Sequence, residues 1–142
     1  MIKVTKSGFI KASAQKIYDY LIQPANLPDY WSNVEVHQIE PLTNGGYRTR
    51  WTYKMGGLRF SGTGETIECV VNERIVDEIK GGIESTQTWT LQAEASGTRA
   101  TFEVEYAVPI PFFGRLIERL VARINDRDGD QLIATLKKRM ET

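Results

Sequence analysis

Apolar and polar residues along this chain follow two periods, and the switch between them divides it. Ile2 to Ala12 alternates imperfectly and predicts a first strand, with Gly8 marking a bend. Ser13 is suited to cap a short helix over Ala14 to Ile22, whose Ile17, Tyr20 and Leu21 share one helical face. Pro24 opens a second helical turn, which Pro28 cuts short ahead of Asp29-Tyr30-Trp31. From Val34 the period becomes two. Strands are predicted over Val34–Leu42, Tyr47–Met55, Leu58–Cys69, Arg74–Lys80 and Glu84–Ala95, separated by Asn44-Gly45, Gly56-Gly57, a turn around Asn72 and Gly81-Gly82. After Ser96-Gly97 a last strand sets Ala100, Phe102, Val104, Tyr106 and Val108 on one face and Thr101, Glu103 and Glu105 on the other. That alternation predicts one buried and one wet face.

Pro109-Ile110-Pro111 ends the last strand, and the period then changes to that of a helix. Phe113, Leu116, Ile117, Leu120, Val121 and Ile124 form one stripe. Carried on, the stripe meets the polar Arg127, Asp128, Gln131 and Thr135, while a rotated apolar stripe takes over at Leu132, Ile133, Leu136 and Met140. Gly129 sits at the changeover. Two readings stand: Asp128 or Gln131 reaches into a cavity as a polar anchor, or the helix bends near Gly129 and its second half packs on another neighbour. Strands segregated from helices predict a single α+β domain over residues 1–142, an antiparallel sheet with a long helix lying across it and closing a pocket.

Composition narrows the function classes. The 142 residues carry 18 basic and 18 acidic side chains, mixed along the chain, which gives no footprint for nucleic acid and no polybasic arm for a membrane surface. No apolar run approaches the ~18 residues of a membrane span, and the N-terminal stretch lacks a signal-peptide core. Cys69 is the single cysteine, which excludes an internal disulfide, predicts a cytoplasmic protein and reads as a small buried hydrophobe.

The strand parity gathers Tyr47, Trp51, Tyr53, Phe60, Trp89, Phe102 and Tyr106 on the presumed inner face, opposite Phe113, Ile117, Leu120 and Ile124 of the helix. These rings either fill a core or line a pocket whose ligand satisfies their polar tips. Gln87 shares the apolar face with Trp89 and Leu91, and a buried amide needs a partner, such as a ligand carbonyl or hydroxyl. Glu65 faces inward if it alternates strictly with Ile67 and Cys69, and Glu65 and Asp128 are then the candidate acid–base groups. His37, the single histidine, is placed on the exposed side of its strand. Asp126-x-Asp128-x-Asp130 is not a calcium loop, because Gln131 and Lys137 stand where glycine and glutamate are required. No metal site, phosphate loop or nucleophile elbow is present in the pattern, and no cofactor is predicted.

Two stretches, Ile10-Lys11-Ala12-Ser13-Ala14-Gln15-Lys16-Ile17-Tyr18-Asp19-Tyr20-Leu21 and Pro24-Ala25-Asn26-Leu27-Pro28-Asp29-Tyr30-Trp31, resemble the opening of the START-like (SRPBCC) superfamily. Leu132-x-x-x-Leu136-Lys137 with Glu141 looks like its closing helix. The chain is most similar to the small polyketide cyclase/dehydrase and coenzyme-Q-binding-like group. The resemblance implies the helix-grip fold, a curved seven-stranded antiparallel sheet around a long C-terminal helix, with a hydrophobic cavity between them. It also implies either a carrier of a lipid, quinone or polyketide-like molecule or a cyclase or dehydratase using the same cavity. The lack of a well-placed histidine favours binding over catalysis. The expected partner is a small hydrophobic molecule, with no nucleic acid and no stable membrane insertion.

Overall fold

In the computed structural model of the chain, the residues described are 2–31, 33–55, 57–81, 84–106, 118, 122 and 129–142. Seven strands, β1 (Ile2–Ile10), β2 (Val34–Pro41), β3 (Tyr47–Met55), β4 (Leu58–Val70), β5 (Arg74–Lys80), β6 (Ser85–Glu94) and β7 (Gly97–Tyr106), form one sheet in the order β1-β7-β6-β5-β4-β3-β2. All neighbours are antiparallel, and the sheet is curled but unclosed. Helix α1 (Ala14–Leu21), a 3-10 turn (Pro24–Asn26) and the short helix α2 (Leu27–Tyr30) fill the connection from β1 to β2, and α3 (Gly129–Met140) closes the chain. This is the helix-grip architecture that the family resemblance implies.

Local chemistry explains the boundaries. The Ser13 hydroxyl accepts from the Lys16 backbone N–H at 3.1 Å, so the predicted cap starts α1. Asn72, at φ 66°, turns β4 into β5. In β7 the predicted inner face is Ala100, Phe102, Val104 and Tyr106, none more than 5% exposed. Two bulges interrupt the ladders, one between Val36 and Gln38 and one between Thr66 and Glu68. His37 sits in the first of them, exposed, with its Nε2 2.6 Å from the Thr52 hydroxyl.

The second half of the closing helix packs through the rotated stripe. Leu132, Leu136 and Met140 are buried, and the Ile133 side chain occupies the space in which a Cβ on Gly8 of β1 would lie. A side chain at position 8 would displace the helix, and this close approach accounts for the glycine in β1. The helix end is tied down by polar contacts. Glu141 Oε2 accepts from the Lys11 N–H at 2.8 Å and from Lys137 Nζ at 2.7 Å. Lys16 Nζ donates to the Met140 and Thr142 carbonyls at 2.7 and 3.1 Å, which satisfies acceptors that a helix terminus leaves open. The Lys137 and Glu141 of the closing pattern are thus clamp residues between helix and β1. The first-half stripe (Phe113, Ile117, Leu120, Ile124), the lid it is expected to form, Asp128 and the approach to Gly129 lie outside the described residues. No described helix is long and apolar enough to cross a membrane.

Candidate functional site

Antiparallel registers bring distant residues into rows across the concave face of the sheet. One row runs Thr49–Gly64–Ile79–Ser85–Tyr106. The next runs Thr66–Asp77–Gln87–Val104, with the Tyr47 N–H donating to the Thr66 hydroxyl at 3.1 Å. A third, Cys69–Ile75–Trp89–Phe102, is the floor. Over these rows lie Leu27 and Tyr30 of α2 and Trp31 behind it, and between the two layers is a cleft. Its outer part, a space of about 100 Å³, lies among Trp31, Val34, Tyr53, Phe60, Ser85 and Tyr106. Its inner part reaches Tyr30, Thr66, Ile75, Asp77, Trp89 and Phe102. Leu27, Trp31, Trp51, Ile79 and Gln87 border both parts, so the two adjoin.

The floor is aromatic and fixed. Phe102 is 2% exposed and meets Trp89 at 5.0 Å and Trp31 at 5.5 Å between ring centroids, and Tyr30 meets Trp89 edge-on at 6.4 Å. The polar groups of the inner part are few. The Trp51 indole Nε1 is buried and has no hydrogen-bond partner among the described residues. Asp77 is the one acidic or basic side chain among the described residues that border the cleft. Burial holds its carboxyl above the ordinary carboxylate range, eased by a hydrogen bond from the Thr66 side chain. Burial likewise pushes up the phenols of Tyr30, where Asp77 adds its negative charge, and of Tyr106, where Tyr53 contributes.

A carboxyl whose pKa is higher folded than unfolded binds more protons in the folded state. Its contribution to stability is therefore largest below the unfolded value and declines as pH rises through the folded one. Asp77→Asn removes that decline. The variant is expected to melt a few degrees above the parent at neutral pH, a gain of about 1 kcal/mol, and level with it near pH 4, as thermal unfolding at the two pH values will show.

The structure brings together Tyr47, Trp51, Tyr53, Phe60, Gln87, Trp89, Phe102 and Tyr106 around the cleft. It does not bring Gln131 there: that residue is exposed on α3, because Leu132 and Leu136 take the buried face. Glu65 also points away, pairing with Arg48 at 3.0 Å on the outer face. Strict alternation fails because the bulge after Thr66 turns both Ile67 and Glu68 outward while Thr66 and Gly64 face the cleft. Asp77 is the residue that sequence reasoning misses. Its signal is the run Ile75-x-Asp77-x-Ile79, an acid between two apolar residues of one parity.

A profile of the family described as "Polyketide cyclase / dehydrase and lipid transport" matches residues 1–141. Among solved structures, the chain is similar to the protein TTHA0849 from Thermus thermophilus, with 24% identity and a TM-score of 0.74 over 98% of this chain and 97% of that one. A START superfamily protein from Mycobacterium smegmatis has 16% identity and a TM-score of 0.74 over 98% and 97% of the two chains. The di-domain ARO/CYC StfQ, from the steffimycin biosynthetic pathway, has 13% identity and a TM-score of 0.79 over 99% of this chain and 50% of that one. No curated protein sequence matches the chain. At these identities the structural likenesses carry the fold alone.

Proposed function

The chain belongs to the polyketide cyclase / dehydrase and lipid transport family, and we propose that it takes up and holds a small hydrophobic molecule in the cleft between the sheet and α2. The observation that supports this reading best is that two adjoining, mostly apolar parts of one cleft share the walls Leu27, Trp31, Trp51, Ile79 and Gln87. Apolar walls supply affinity at roughly 25 cal/mol per Å² of ligand surface removed from water, and a few polar groups set orientation. Nothing in this role requires turnover. Ile79 faces both parts of the cleft, so Ile79→Trp fills it from the sheet side. Native mass spectrometry after exposure to a total lipid extract is expected to show a bound small molecule on the parent and at least about tenfold less on Ile79→Trp. Equal loading of both proteins, or none on either, would count against the cleft as the binding site.

A cyclase or dehydratase reading is supported by one feature, a recessed carboxyl held toward its protonated form beside the Tyr30 phenol. Such a group is suited to donate a proton to a developing enolate or departing hydroxide. Under that reading Asp77→Asn removes turnover of a poly-β-ketone substrate while leaving its binding intact. Under the carrier reading no turnover is measured in either protein.

A further inference from the structure

Strand β6 carries two uncommitted hydrogen-bonding side chains into the cleft. Ser85 and Gln87 stand two residues apart, and the pairing of β6 with β5 and β7 runs without a bulge, so both share the inner face with Trp89. Both border the outer part of the cleft, and Gln87 borders the inner part as well. Thr66 and Asp77, further in, are bonded to each other, and the Thr66 hydroxyl also accepts from the Tyr47 N–H. The Gln87 amide and the Ser85 hydroxyl have no such partner among the described residues. The enclosed side-chain polar atoms left without a partner among those residues are Trp51 Nε1 and Asn72 Oδ1. The groups of Ser85 and Gln87, equally unpartnered, are therefore not enclosed and reach open space. Two residues of a strand advance about 7 Å, so β6 offers two groups at that spacing in one line. Each of them can donate and accept. Across the cleft from this line stand Leu27 and Trp31, whose surface is mainly apolar.

We propose that the cleft selects an uncharged hydrophobic molecule with two oxygen functions, hydroxyl or carbonyl, about 7 Å apart on one edge, held by Ser85 and Gln87, with its oxygen-free edge under Leu27 and Trp31. This inference rests on the cleft being the ligand site. An amide and a hydroxyl engage either kind of oxygen, so spacing and side are what the line reads. An oxygen on the far edge leaves water for apolar side chains that give it no hydrogen bond, and affinity falls. The cleft thereby distinguishes isomers of equal polarity, which apolar contact alone does not do.

The test uses the full chain and two fluorescent isomers at neutral pH. In 2,7-dihydroxynaphthalene both oxygens lie on one long edge, about 7 Å apart, which matches two residues of a strand. In 2,6-dihydroxynaphthalene they lie on opposite edges, so only one can reach β6. The parent is expected to bind the 2,7 isomer several-fold, up to about tenfold, more tightly, the effect of one added hydrogen bond. Ser85→Ala and Gln87→Leu each remove one partner. Each should therefore weaken the 2,7 isomer several-fold and bring it level with the 2,6 isomer. Circular dichroism identifies any variant that fails to fold, and the isomer preference of the parent tests the inference without a variant. Equal binding of the two isomers by the parent, binding of neither, or a preference that survives in both variants overturns the inference. If Ile79→Trp then abolishes the binding of both isomers alike, the cleft stands as the ligand site. Binding that Ile79→Trp does not weaken overturns the cleft reading and the inference with it.

Discussion

Phe102→Ala is expected to destabilise the domain by about 3–5 kcal/mol. Among the described residues Phe102 is the largest side chain that is essentially fully buried, and it lies beside Trp89 of β6 and against Trp31 behind α2. Its removal withdraws apolar area and also leaves a hole between two rigid rings that cannot both collapse into it. A loss of that size is a large part of the about 5–15 kcal/mol that holds a domain of this kind together. Urea unfolding should show a lower midpoint with little change in slope. Because Trp31 roofs the cleft, ligand capture should weaken along with stability. A variant that unfolds with the parent's midpoint would show that the floor rearranges freely, contrary to the packing described.

Gly62→Val is expected to cost about 3 kcal/mol or more, through overlap rather than through a hole. A Cβ at position 62 would overlap the Lys80 carbonyl oxygen of β5, and it would stand 2.7 Å from Trp51 Cζ2 and 3.1 Å from the Gly81 Cα. Lys80 and Gly81 are backbone, and Gly81 is itself held at φ 88°, so neither yields easily. The side chain that must move is Trp51, which borders both parts of the cleft. The variant should therefore lose both thermal stability and capture of a small hydrophobic molecule. Gly57→Ala provides the contrast. A Cβ there meets nothing within 4 Å, although φ is 80°, so it should cost about 1–2 kcal/mol from backbone strain alone and spare the cleft. Thermal melts of the two variants side by side separate steric overlap from strain.

Much of this architecture is legible in the residue pattern, for identifiable reasons. Ala100, Phe102, Val104 and Tyr106 alternate with polar residues because β7 has one face against the core and one in water, and such a strand declares its parity. Asn44-Gly45 declares a hairpin because few dipeptides accept its backbone, and Gly45 sits at φ 91°. Ser13 declares a helix start because its hydroxyl supplies a missing acceptor. β5 declares much less. Ile75 and Val76 are both buried, at 2% and 5% exposure, so adjacent residues look alike and the inward turn of Asp77 is hidden. Strict alternation misplaces Glu65 for a related reason. It holds only while pairing is regular, and the bulge between Thr66 and Glu68 resets it.

The succession of strands and helices and the inner aromatic row are readable from the chain alone, because each follows from periods and turns that act within a few residues, and the family is readable from the resemblance of its opening and closing stretches. Which polar groups share the cleft is settled only in three dimensions. Asp77, Gln87 and Thr66 meet only because β4, β5 and β6 pair in one particular register. Trp51 has its N–H edge where it is because two glycines on the neighbouring strand leave room for an indole. Registers are set by bulges and by side chains across the sheet, tens of residues away along the chain, and no local pattern records them.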